Sequence, residues 1–361
     1  MRVLACFFSI AISLCATASA WWDGGHKIVA QIAYEELSVA ERRWVMDLLE
    51  RNPLNDELFV QKLSAELGPS VDEETKMRWY FSQAAVWADL VRDKKISPMG
   101  TAIVATYNRD ARHYTDAPFF PRPSDLQALP QHAARPDITW EPGRIEPLAE
   151  LNSLQTLAKA RAEIPDTNLP ASDRAIDLLW LFHLAGDMHQ PCHCVALFSS
   201  PALPAGDRGA NQIFVFGLQS QAYGMRSDAL HAFWDSLFNG ETNTHADILA
   251  RTASAKALTP LWTIARERAR ISDPTVWWEE GVALAKSEVY KPLLDRIVRA
   301  TAVPHPAGGD RPDIIQINLP QAQMDAYVLN ARRVGQGQII TAGLRLAATL
   351  KELYVAAAGA Q

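Results

Sequence analysis

The chain holds 361 residues, 48% apolar and 21% charged, which fits a globular protein with a substantial core in one large domain or two. Its formal net charge of −6 excludes non-specific capture of nucleic acid by a broad basic surface, so any polyanionic ligand needs positive charge supplied locally.

The first twenty residues read as a segment to be removed. Met1-Arg2 is a short positive region, Val3 to Leu14 an apolar run, and Ala18-Ser19-Ala20 a small-x-small cleavage site. The apolar run is shorter than the ~20 residues that span a bilayer. Residues 1–20 are therefore expected to be a signal peptide, with cleavage between Ala20 and Trp21, a periplasmic or secreted mature chain of residues 21–361, and no stable membrane anchor. Cys6 and Cys15 would leave with that segment. Cys192 and Cys194 read as small buried residues or a local disulfide rather than as soft ligands. No Asn-x-Ser/Thr sequon accompanies them.

Trp21-Trp22-Asp23-Gly24-Gly25-His26 leads into an amphipathic helix over Lys27–Ala33, and Ser38-Val39-Ala40-Glu41 is a capping box for a second helix reaching about Arg51. Residues 75–93 form a third, with Trp87, Leu90 and Val91 on its apolar face. Asp89 and Arg92 stand three apart there, a spacing that alone signals only a surface ion pair. Arg112-His113-Tyr114-Thr115-Asp116 follows in a short connection. Seven prolines then fall between Pro118 and Pro147, marking a long irregular rim with Phe119, Phe120 and Trp140.

Helices are expected at about 146–163 and 172–190, the second with Ser172 as N-cap and Pro191 as its stop. Its last turns carry His183 and Asp187, four apart on one face, with His193 just beyond. Two imidazoles and a carboxylate on an apolar helix suggest a metal site more than an ordinary ion pair, because buried charge is costly unless paired or coordinated. After a loop at 199–209, Asn211–Phe216 is the one convincing strand. A helix opening at Ser227 repeats the spacing as His231-x-x-x-Asp235. Helices at 245–257, 260–271 and 274–290, a Pro/Gly-rich loop from Val303 to Pro320, and a closing helix through Ala342–Ala347 complete the chain. The expected fold is a single, mainly α domain: a multi-helix bundle around a metal-bearing cleft, with long Pro-rich loops and little β.

In order, the polar candidates are Trp21, His26, Asp89, His113, His183, Asp187, His193, His231 and Asp235. With Trp87-Ala88-Asp89, His113-Tyr114-x-Asp116, His183-x-x-Gly186-Asp187-x-x-Gln190-Pro191-x-His193, Asn211, His231-x-x-x-Asp235 and Ala342-Gly343-Leu344-Arg345-Leu346-Ala347, the mature chain resembles the zinc-dependent single-strand-specific nucleases. That family shares a fold with zinc-dependent phospholipase C. The resemblance implies three zinc ions. Asp89, His113, His183 and Asp187 would hold one. The amine and carbonyl of Trp21, with His26 and Asp187, would hold its neighbour, and His193, His231 and Asp235 the third. It further implies Arg92 and Asp116 at the scissile phosphate, with Asp116 orienting the Arg92 guanidinium, Tyr114 stacked on a base, and Asn211 lining the same pocket. The activity implied is hydrolysis of single-stranded DNA and RNA to 5′-phosphorylated products, with 3′-nucleotidase activity as an addition, by a monomer. Water activated between two zincs would attack phosphorus while the third stabilises the leaving oxygen.

His189 matches no ligand and is given a supporting or surface role, and His132, His245 and His305 receive no assignment. Cys192 and Ala210 depart from the family pattern, and the 118–147 and 303–319 segments lengthen the chain without touching a ligand. Two other readings compete: a phospholipase C-like phosphodiesterase, and a non-catalytic periplasmic zinc-binding protein. Arg92, Asp116 and Tyr114 favour the nuclease over the first, and the full ligand set speaks against the second.

Overall fold

The computed structural model describes residues 21–142, 151–218 and 228–359. The expected signal peptide, the 143–150 stretch and Ser227 lie outside them. Helices α1 (Asp23–Glu36), α2 (Val39–Leu49), α3 (Gln61–Leu67), α4 (Glu73–Leu90) and α5 (Gly100–Tyr107) come first. Strand β1 (Ala117–Phe119), α6 (Pro123–Ala128), α7 (Ser153–Glu163), α8 (Ala171–Asp187), β2 (Val195–Leu197) and β3 (Ile213–Phe216) follow. The chain closes with α9 (Leu230–Ser236), α10 (His245–Lys256), α11 (Thr259–Arg268), α12 (Pro274–Leu284), α13 (Leu294–Ile297), β4 (Ile315–Asn318) and α14 (Gln321–Gly359). The mainly α expectation holds.

Local chemistry explains several boundaries. The Ser38 hydroxyl accepts from the Glu41 amide at 3.3 Å while the Glu41 carboxylate accepts from the Ser38 amide at 2.6 Å, so the expected capping box starts α2. Asn152 caps α7 in the same way and starts it at Ser153, while the expected start near 146 lies outside the described residues. Ser172 is not the cap of α8: Pro170 stands there without a side-chain bond, and Ser172 is already helical. That helix also stops at Asp187, before Pro191, which opens a separate 3-10 turn ending at His193. The β content is larger than one strand. Strand β1 pairs with β2 and β3 with β4, both in parallel. The partners β1 and β4 are three and four residues long and sit in segments that the sequence marks as loops. Strand β3 begins only at Ile213, because Arg208, Gly209 and Ala210 occupy the left-handed region. Cys192 and Cys194 are buried free thiols, which removes the disulfide alternative.

Two helices organise the core. Helix α8 is buried without interruption from Asp177 to Asp187, and α4 and α7 pack against it. Helix α14 runs 39 residues, and its stretch from Gln338 to Ala347 is buried on every face, as expected for a helix threading a core. Helix α1 lies between α14 and α4. Closest approach falls at Gly343, where an added Cβ would stand 2.5 Å from Cβ of Ile32 and 2.9 Å from the Val29 carbonyl. Gly343→Ala gains up to about 1 kcal/mol of helix propensity, but overpacking a branched side chain and a fixed carbonyl costs roughly 1–3 kcal/mol. The packing term should win: this variant should unfold at lower urea than wild type, and an unchanged or raised midpoint would contradict the α1–α14 contact.

Candidate metal centre

Four elements converge on the end of α8. His183 and Asp187 occupy its last turns, α4 supplies Asp89 from its own last turn, and α1 supplies His26. A 3-10 turn over Asp110–His113 brings His113. Asp187 Oδ1 lies 3.2 Å from His26 Nε2, while its Oδ2 lies 3.2 Å from both His113 Nδ1 and His183 Nε2. Asp89 Oδ1 is 3.9 Å from His183 Nε2. Gly186 makes the arrangement possible, since a Cβ there would stand 2.4 Å from Nδ1 of His26. The His26 ring instead stacks on His183 with centroids 4.1 Å apart.

A second group forms where the 3-10 turn after α8 meets α9. Asp235 Oδ2 is 3.2 Å from His231 Nε2, and its Oδ1 is 3.9 Å from His193 Nε2. Gln190 holds that carboxylate, donating to Oδ1 at 2.6 Å while its own carbonyl accepts from the Cys192 amide at 2.6 Å. Trp21 and Trp22 are tied to the same helix. The Trp22 amide donates to the Asp235 carbonyl at 3.0 Å, and the buried Trp21 ring packs edge-on against Phe238.

Backbone carbonyls set the tautomers. Nδ1 of His183 bonds to the Ala85 carbonyl at 2.8 Å, Nδ1 of His193 to that of His113 at 2.7 Å, and Nδ1 of His231 to that of Gly209. Each such bond places the proton on Nδ1 and turns the Nε2 lone pair inward, as in metal-binding histidines. Nε2 of His26, His193 and His231, Asp187 Oδ1 and Asp235 Oδ2 are then buried without a hydrogen-bond partner. Orphaned polar atoms are rare in folded proteins, and here they crowd into two spots. Around a tetrahedral ion with bonds near 2.0–2.1 Å, neighbouring donors stand about 3.3 Å apart. The observed 3.2 Å spacings fit that edge. Three His/Asp groups can thus hold a metal ion: His26, His183 and Asp187; Asp89, His113 and His183; His193, His231 and Asp235.

Titration behaviour reflects the same crowding. Burial pulls the His183 imidazole down, but Asp187 and then Asp89 outweigh it and raise it to about 9. Burial lowers His113 to about 4 despite the Asp187 hydrogen bond. Burial also opposes ionisation of Asp187, yet the surrounding histidines hold it well below the usual carboxylate range. Asp187 thus stays ionised among three imidazoles, a donor set that can hold a metal ion.

Beside it opens a cavity of about 440 Å³, walled by His113, His193 and His231 together with Arg92, Tyr114, Asp116 and Asn211. Arg92 pairs with Asp89 at 3.4 Å and Asp110 at 3.3 Å. Tyr114 is 44% exposed at the mouth, the one large ring of the group open to a ligand. Asp116 is partly covered, and loss of solvent, then the Asp207 carboxylate, push it up to about 7. Sequence reasoning missed Asp110, on the 3-10 turn that carries His113, and Arg208, His305 and Arg311 on loops, all lining the same cavity. It also gave Gln190 no role, although its place between Asp187 and His193 in the same motif was a signal.

A family model described as S1/P1 Nuclease matches residues 21–355. Comparison with curated proteins gives no match.

Gly186→Ala isolates the first group. A methyl there collides with the His26 ring, so the variant should retain less bound metal than wild type by elemental mass spectrometry. Full metal content in a folded Gly186→Ala protein would contradict His26 as part of the site.

Proposed function

The chain belongs to the S1/P1 nuclease family, and from that premise we propose that it is an exported, zinc-dependent endonuclease of single-stranded DNA and RNA, yielding 5′-phosphorylated products, with 3′-nucleotidase activity as a corollary. Hydrolysis of phosphodiester bonds is the chemistry of the family. The single observation that carries the finer reading is the set of inward-facing, unsatisfied histidine and aspartate atoms along one cavity with Arg92 and an exposed tyrosine.

Nitrogen and oxygen donors of this kind suit zinc. Asp89, His113, His183 and Asp187 would hold one ion; Asp187, His26 and the Trp21 amine and carbonyl a second; His193, His231 and Asp235 a third. Bound zinc supplies Lewis-acid polarisation of phosphate and makes hydroxide available near neutral pH. Asp187 offers its two oxygens to different histidines, which suits a bridge between two ions. The Trp21 amine can serve only when it is a free amine, so this ligand set requires a chain that begins at Trp21. Export rests on the residue 1–20 pattern, and the family match begins at the same Trp21.

Substrate handling falls to the cavity wall. Arg92 can fork onto a phosphate while Asp89 and Asp110 keep its guanidinium in place. Asp116 lines the same wall and would take part in phosphate binding. Tyr114 offers a ring face on which a base stacks, and stacking of this kind needs an unpaired base but no particular sequence. Asn211 donates from Nδ2 to the Arg208 carbonyl at 2.8 Å, which leaves its amide oxygen as an acceptor beside that base. Among the described residues no helix is long and apolar enough to cross a membrane.

The purified chain beginning at Trp21 should cut denatured DNA and RNA, spare duplex DNA and phosphatidylcholine, and lose activity to a chelator until zinc is restored. Cleavage of phosphatidylcholine in preference to nucleic acid would overturn the reading. Arg92→Ala should keep the zinc content of wild type and lower turnover by roughly 10²-fold, as for loss of one transition-state donor. Wild-type turnover in that variant would remove Arg92 from the phosphate.

A further inference from the structure

The cavity holds two arginines to which the proposed hydrolysis gives no part. Arg208 and Arg311 line it besides Arg92, in a chain whose formal net charge is −6. Neither arginine is placed by chance. Arg208 sits in the left-handed region at φ 56°, where glycine or asparagine would fit without strain. Its backbone is fixed from both sides: the Arg208 carbonyl accepts from the Asn211 side chain, and the neighbouring Gly209 carbonyl accepts from His231. Gly209 packs closely on Cys192, where an added Cβ would lie 2.3 Å from the carbonyl, so the turn takes no side chain there. The turn that orients His231 therefore also aims Arg208 along the wall. The positive charges of Arg208 and Arg92 both bear on the Tyr114 phenol, which places Arg208 on the stacking side of the cavity.

Arg311 arrives from the long 303–314 excursion. Val303 and Ile314 close that excursion by exchanging two backbone hydrogen bonds, at 2.8 and 2.9 Å, before β4 joins β3. His305 stands edge-on to Phe214 of β3, with centroids 5.4 Å apart. Its Nδ1 lies 3.1 Å from the Ala307 amide and accepts from it. Burial and then the Arg311 charge keep its pKa below the usual histidine value. A neutral ring whose Nδ1 accepts carries its proton on Nε2, so His305 is a hydrogen-bond donor beside Arg311.

We propose that Arg208, Arg311 and His305 form a second anion subsite, which holds the phosphate of a nucleotide next to the one being cut. This rests on the nuclease reading and extends it: the chain would favour oligonucleotides over substrates with a single phosphodiester. The charge-assisted bonds would be made by groups that contact only the flanking phosphate, so they would serve binding of the strand rather than the bond-breaking step.

The test compares a thymidine decanucleotide with thymidylyl-thymidine, which has the scissile phosphate and no other. The double variant Arg208→Asn/Arg311→Gln keeps a residue tolerant of left-handed backbone at 208. Its kcat/KM on the decanucleotide should fall roughly tenfold or more, mostly through KM, and its salt dependence should become shallower by about one unit of log–log slope. On thymidylyl-thymidine it should stay within about twofold of wild type, with unchanged zinc content and unfolding midpoint. Arg208→Lys/Arg311→Lys should restore much of the decanucleotide efficiency. Equal losses on both substrates, or no loss on either, would overturn the subsite while wild-type cleavage upheld the nuclease reading. Failure of wild type to cut either substrate would overturn that reading and the subsite with it.

Discussion

A single buried carboxylate constrains this structure more than any other group. Asp187 lies fully enclosed at the end of a core helix, with three imidazoles within 3.2 Å of its two oxygens. An isolated carboxylate in such a place would cost several kcal/mol in lost hydration unless neutralised. The protein meets this with imidazoles, His183 foremost, rather than with a lysine or arginine, and the same donor set can hold a metal ion. Much else follows from holding it. Gly186 yields space for the His26 ring, α4 and α8 pack so that Ala85 can fix His183, and the Cys192 backbone turns to bring His193 back.

The centre also explains why distant parts of the chain are joined. Ligand candidates come from α1, α4, α8, α9 and two 3-10 turns, so any ion bound here ties the N-terminal third to the middle of the chain. Binding free energy at such a site is partly folding free energy. Around it a second network keeps the motif tip in register. Arg345 is wholly buried, pairs with Glu280 at 2.8 Å and lies 3.0 Å from Nε2 of His189, which is itself buried, so the surface alternative for that histidine falls away.

Much of the centre was legible in the sequence because its spacing is local. His183 with Asp187 and His231 with Asp235 are one helical turn apart, and a periodic apolar run shows which helix is buried. The cavity wall was less legible. By spacing alone Arg92 was readable only as half of an ion pair, and its second partner, Asp110, opens a 3-10 turn too short for periodicity to mark. Arg208, His305 and Arg311 stand on loops whose shape comes from left-handed residues and strand pairs too short for periodicity to reveal. The Ser172 cap failed for a related reason: proline at 170 sets the helix start through its fixed φ, and a serine two residues on is simply carried inside.

The most direct measurement is the number and placement of ions in the protein beginning at Trp21. Anomalous diffraction at the zinc edge, with elemental analysis of wild type and Asp187→Asn, reads both. Three ions are expected in wild type, two of them sharing Asp187 and the third between His193, His231 and Asp235, with the loss of at least two in Asp187→Asn. Fewer than three sites, or a variant that keeps all three, would contradict a cluster built on that carboxylate.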